Sequence, residues 1–74
     1  MPFDFSKLRG RIVEKYGTCE KFAAAMGKSK TWISTRLNNA IPWSTDEIQE
    51  VCGPQLLDIP ADEIHVYFFT PKFR

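Results

Sequence analysis

Three hydroxyl side chains constrain this chain more than any other feature. Thr18, Ser29 and Ser44 each stand directly ahead of a short run whose apolar residues recur at helical spacing, while Gly17, Gly27 and Gly53-Pro54 punctuate the ends of such runs. A hydroxyl oxygen so placed accepts a hydrogen bond from one of the first amides of a helix, which have no partner inside it; glycine takes the left-handed conformation that ends one. Starts and stops this closely spaced exclude long helices. They predict an all-α fold of about five short helices in a single domain spanning residues 1–74.

Asp4 can cap a first helix over about residues 5–16, where Phe5, Leu8, Ile12 and Tyr16 form one apolar stripe before Gly17. Thr18 caps a second, about residues 19–26, lined on one side by Phe22, Ala23 and Met26. Ser29 caps a third, about residues 30–37, with Ile33 and Leu37 as its inward pair. In Ser44-Thr45-Asp46-Glu47 the serine and the glutamate can each bond the other's backbone amide, so a fourth helix runs to about Cys52 with Ile48, Val51 and Cys52 inward. Pro60-Ala61-Asp62-Glu63 carries the proline and early acids of a helix start and predicts a fifth helix over about 61–68. The run Val66-Tyr67-Phe68-Phe69-Thr70 suits a short strand as well, by its β-branched and aromatic content.

The chain has 74 residues, 43% of them hydrophobic and 26% charged. A domain of this size is marginally stable alone, which favours a subunit partner, and it leaves no room for an enclosed active site with a supporting shell. It is read as a non-enzyme. Cys19 and Cys52 with the single His65 make no zinc ligand set, so no metal, cofactor or small-molecule substrate is expected. No run reaches the roughly 18 apolar residues of a membrane span, and Met1-Pro2-Phe3-Asp4 lacks the pattern of a signal peptide; a cytoplasmic location and no membrane partner are expected.

The formal net charge of +1 hides an asymmetry: residues 1–39 hold eight Lys or Arg against three acids, residues 40–69 hold six acids and no Lys or Arg, and Lys72 and Arg74 follow. Such a split suggests a positive face for a polyanion and an acidic rear. The second and third helices, joined by the turn Gly27-Lys28-Ser29, form a helix-turn-helix arrangement. Phe22, Met26, Ile33 and Leu37 fill the wedge between them, Ala23 permits a close crossing, and Gly27 bends the chain. The segment KFAAAMGKSKTWISTRLNN resembles the helix-turn-helix of the Cro and lambda-type repressor superfamily. FDFSKLRGRIVEKYG, IPWSTDEIQ and YFFTPK extend the resemblance, to small phage proteins of Cro-like type, over nearly the whole chain. Cys19 stands where many members carry glutamine.

The resemblance implies a compact bundle of about five helices, with a third helix that enters the major groove of double-stranded DNA, and members that commonly bind operators as dimers in a bacterial cytoplasm, at the nucleoid. On the third helix, Thr31, Thr35 and Asn38 lie opposite Ile33 and Leu37. The expected base contacts are Lys30, Thr31, Ser34 and Thr35. The expected phosphate contacts are Lys28, Arg36, Asn38 and Asn39, with the helix starts at Thr18 and Ser29. Lys7, Arg9, Arg11 and Lys15 on the first helix are read as plain surface charges, Trp32 as packing against the fourth helix or the Ile41-Pro42-Trp43 loop, and Trp43 as a core lid. Leu56, Leu57, Val66, Tyr67, Phe68 and Phe69 exceed what a small helical core can absorb and are the expected homodimer interface. The function expected is a phage or prophage repressor on an inverted-repeat operator; the alternative is a protein-interaction module, an antirepressor or adaptor, on the same helices.

Overall fold

The helix starts fall where the hydroxyl caps place them. In the computed structural model, which describes residues 3–71, Thr18 Oγ1 accepts from the Lys21 amide, Ser29 Oγ from the Trp32 amide and Ser44 Oγ from the Glu47 amide, each at 3.1 Å. Glu47 Oε1 returns the favour to the Ser44 amide at 2.9 Å and completes the capping box. Five α-helices result: α1 Ser6–Tyr16, α2 Cys19–Ala25, α3 Lys30–Leu37, α4 Thr45–Val51 and α5 Ile64–Phe68. The fold is all-α, as caps and periodicity predict. Met1, Pro2, Lys72 and Arg74, which entered the leader and charge readings, lie outside the described residues.

Local details differ at both ends. Asp4 Oδ1 does accept an early amide, that of Ser6 at 2.8 Å, but α1 begins at Ser6 with Phe5 in the capping position. The fifth helix comes in two pieces: a 3-10 turn, Ala61–Glu63, tightens the entry after Pro60, and α5 continues from Ile64. Residues 66–68 are therefore helical, and among the described residues the only strand-like pairing is an isolated antiparallel bridge between Phe3 and Pro71.

The core gathers the apolar stripes. Leu8, Ile12, Phe22, Ala23, Val51 and Leu57 are fully buried, with Ile33 and Phe68 at 1% exposure. Removing each larger side chain from water contributes about 1.5–3 kcal/mol. Helix α2 packs on both α1 and α3, and α5 packs on α1. Ala23 carries no bulk into the α2–α3 approach, and Gly27, at φ 74°, makes the sharp turn that the Lys28 amide closes on the Ala23 carbonyl at 2.8 Å. Trp43 sits edge-on between Trp32, 5.7 Å between ring centroids, and Phe68, 5.2 Å away. Its indole nitrogen is buried without a hydrogen-bond acceptor among the described residues. Trp32 thus packs on the Trp43 loop, and Trp43 covers the core as a lid.

Two long-range clamps complete the framework. Arg11 is no plain surface charge: its Nε donates to the Leu57 carbonyl at 2.9 Å and its Nη2 to the Asp58 carbonyl at 3.0 Å, fixing a turn in which Asp58 adopts φ 52°. Asn39, at φ 68°, holds the opposite edge. Its Oδ1 accepts from the Phe3 amide at 3.0 Å and its Nδ2 donates to the Phe3 carbonyl at 2.9 Å, while the Asp4 amide donates to the Thr70 carbonyl at 2.7 Å.

Candidate nucleic-acid interface

Helix α3 is held from beneath and left open above. Ile33 and Leu37 anchor it in the core, whereas Lys30, Thr31 and Ser34 are exposed, with Lys28 and Ser29 beside its start. Ser29 caps the helix: its Oγ accepts from the Trp32 amide, and its hydroxyl hydrogen remains to donate outward. Lys30 Nζ lies 3.9 Å from Glu20 Oε2, but both side chains are more than two-thirds exposed, and an ion pair in water at that distance holds Lys30 weakly. Lys28 Nζ lies 5.7 Å from the centroid of the Trp32 ring. An ammonium, hydroxyls and a helix N-terminus on one open face can donate hydrogen bonds to acceptors on an anionic, acceptor-rich surface.

The other expected contacts are placed differently. Thr35 is half-buried, and its hydroxyl donates to the Thr31 carbonyl at 2.9 Å and the Trp32 carbonyl at 3.0 Å. Arg36 is turned inward: Nε and Nη2 reach Glu47 Oε2 at 3.1 and 2.9 Å, Nη1 reaches the Trp32 carbonyl at 3.2 Å, and the guanidinium lies 4.5 Å from the Trp32 ring centroid. Only 13% of its side chain is exposed, so its charge serves the α3–α4 junction and not a phosphate. Asn39 is likewise committed, to Phe3. Asn38 is exposed, with its Oδ1 accepting from the Ala40 amide at 3.0 Å; Thr18 caps α2.

The Arg36–Glu47 contact also perturbs a carboxylate. The guanidinium hydrogen bonds hold the Glu47 carboxyl below its usual range, against an opposing effect of burial and with help from the Ser44 amide. Burial alone pushes the Cys52 thiol up to about 11, while Cys19 is a half-buried free thiol.

The expected dimer surface needs correction. Leu57, Tyr67 and Phe68 are core residues, because the Asp58 turn folds Leu57 under α1 and α5 lays Phe68 beneath Trp43. Leu56 and Val66 are half-buried, and Phe69 is 48% exposed. Phe69 joins the exposed Ile41 along a groove of about 370 Å³ that Phe3, Phe5 and Trp43 also line. Sequence reasoning missed Arg11 and Asn39 as structural clamps. Nothing local marks either residue, since their partners lie 46 and 36 positions away.

Among the described residues, no helix is long and apolar enough to cross a membrane. A comparison with curated protein sequences finds no match. Among solved structures, the chain is similar to the modulator of repression (MOR) of the temperate bacteriophage TP901-1 from Lactococcus lactis, a solution structure. The two share 39% identity and superpose with a TM-score of 0.81, covering 100% of this chain and 97% of that one. Residues 1–71 match the family described as "Protein of unknown function (DUF739)", and the chain belongs to that family.

Proposed function

We propose that this chain is a phage regulator of transcriptional repression that works at duplex DNA, with α3 seated in the major groove as in Cro-like proteins. The observation that carries this reading is the open face of α3, where Lys30, Thr31 and Ser34 project from a helix clamped at Ile33, Leu37 and Arg36. Lys30 is suited to guanine O6 and N7, and the two hydroxyls to base edges of either donor or acceptor type. Lys28, Asn38 and the helix starts at Thr18 and Ser29 remain for phosphates. Two copies on a two-fold axis would set two α3 helices in successive major grooves, about 34 Å apart.

Selection of bound duplexes from a random pool tests this. Lys30→Ala and Thr31→Ala should each relax preference at particular base positions, whereas Lys28→Ala should weaken binding to all sequences alike. Three indistinguishable profiles would refute the assignment. A second reading, a module that acts on another regulatory protein, is favoured by the internal use of Arg36 and Asn39 and by the relative's description as a modulator. Salt separates the two: affinity for DNA through several phosphates falls steeply as salt rises, and an apolar protein contact holds.

A further inference from the structure

The two threonines on the outer face of α3 are not chemically equivalent. At 100° per residue, Thr31 and Thr35 stand one above the other and opposite the buried Ile33. Thr31 is exposed, and its hydroxyl has no partner among the described residues. The Thr35 hydroxyl has a single hydrogen, and that hydrogen is shared between the carbonyls of Thr31, at 2.9 Å, and Trp32, at 3.0 Å. Threonine in a helix is stiff about χ1, and bonding back to the preceding turn selects one of its few rotamers.

The surroundings reinforce that rotamer. Arg36 Nη1 donates to the same Trp32 carbonyl at 3.2 Å while the rest of its guanidinium is fastened to Glu47. The Thr35 carbonyl accepts from the amides of Ala40 at 2.9 Å and Ile41 at 3.1 Å, which closes the end of α3. Swinging the hydroxyl outward would give up an intramolecular hydrogen bond to make another, with little net gain. With the hydroxyl held by the preceding turn, the methyl group is the part of the Thr35 side chain left to meet an outside surface. In an acceptor-rich groove the complementary surface for an aliphatic methyl is the 5-methyl group of thymine.

Resting on the DNA-binding function proposed above, we infer that Thr35 specifies a thymine through methyl–methyl contact, and that hydrogen-bond readout falls to Lys30, Thr31 and Ser34. Thr35 is thereby the apolar element in an otherwise polar reading face. Its hydroxyl is a fastener of α3 and takes no part in choosing the base.

The experiment uses the full chain and the duplex selected from a random pool. Each thymine is replaced in turn by deoxyuridine, which removes the 5-methyl group and leaves the pairing edge unchanged. At one position per half-site the wild-type protein should lose about four-fold in affinity, the scale of one buried methyl group. Thr35→Val keeps a methyl group and should keep the wild-type loss of about four-fold on exchange of that thymine for deoxyuridine, whatever its absolute affinity. Thr35→Ser keeps the hydroxyl, should bind the thymine duplex about four-fold more weakly, and should be indifferent to the deoxyuridine exchange at that position. Helical content by circular dichroism establishes that each variant is folded, and Thr31→Val, predicted to lose preference through its missing hydroxyl, serves as the contrast. The inference is overturned if Thr35→Ser keeps the wild-type loss on deoxyuridine exchange while Thr35→Val does not, or if no thymine position couples to residue 35. Failure to select any duplex overturns the DNA-binding reading itself and the inference with it, an outcome distinct from either of the others.

Discussion

Breaking the Arg36–Glu47 pair tests whether Arg36 is a strut between α3 and α4 or a reserve ligand for DNA. The side chains are 13% and 21% exposed, and two guanidinium nitrogens converge on one carboxylate oxygen at 2.9 and 3.1 Å. Exposed pairs contribute about 0–1 kcal/mol, and removing one partner of a fully buried pair costs about 3–5 kcal/mol. This geometry falls between, and the loss of charge-assisted bonds in Glu47→Gln should cost about 1.5 kcal/mol. Glutamine still satisfies the capping box, because its amide oxygen can accept from the Ser44 amide, so the loss reports the pair and not the cap. At roughly 4–8 °C per kcal/mol for a domain of this size, the melting temperature at pH 7 should fall by about 6–12 °C.

Arg36→Met should cost a similar amount and the double variant little more, giving a coupling energy of about 1 kcal/mol in a double-mutant cycle. Additivity to within roughly 0.3 kcal/mol would refute the strut. The pH dependence supplies an independent check. A carboxyl whose folded pKa is depressed contributes stability that is present above its unfolded pKa and is lost as pH falls through the folded value. The advantage of wild type over Glu47→Gln should therefore be full near neutrality and shrink on acidification. A difference that does not change with pH would contradict the mechanism. In DNA titrations, Arg36→Met should leave the salt dependence of binding unchanged, since a residue that neutralises no phosphate releases no counterion.

Two glycines predict opposite signs. A side chain at Gly27 would meet nothing within 4 Å, yet φ 74° is unfavourable for any L-residue; Gly27→Ala should destabilise by about 1 kcal/mol, read by chemical denaturation. Gly10 is exposed in mid-helix with open space around it, so Gly10→Ala should stabilise by about 0.5–1 kcal/mol in the same assay. For the thiols, a disulfide reagent at pH 8 should modify Cys19 quickly and Cys52 only on unfolding, because Cys52 is buried with its pKa at about 11; equal rates would place Cys52 outside the core.

What was legible in the sequence was local. Thr18, Ser29 and the Ser44–Glu47 box declare their roles within three residues, and α3 runs from Lys30 to Leu37 as its cap and inward pair predict. The α2–α3 turn was equally readable, because Gly27 and Ala23 act on immediate neighbours. The errors lie where a side chain finds a remote partner. Arg36 has the charge and position of a phosphate ligand, and only the arrival of α4 shows that Glu47 claims it. Asn39 and Arg11 answer to Phe3 and to the Leu57-Asp58 carbonyls across the fold. Counting apolar residues near the end of the chain also misjudged the core, which takes in Leu57, Tyr67 and Phe68 because two tight turns, at Asp58 and at Ala61–Glu63, direct them beneath α1 and Trp43.

The clasp at Asn39 fastens to Phe3, which in turn bridges to Pro71, residues almost a full chain length apart. Closing so large a loop loses more chain entropy than joining neighbouring helices, and few buried contacts repay it until the rest has assembled. The helical pairs α1–α2 and α2–α3 should thus form early, with this seam zipping last and parting first under thermal fluctuation. Native-state hydrogen exchange would register the parting as faster deuterium uptake at the Phe3 and Asp4 amides than at α2. The segment that follows α3 is then tied to the most easily opened edge of the molecule.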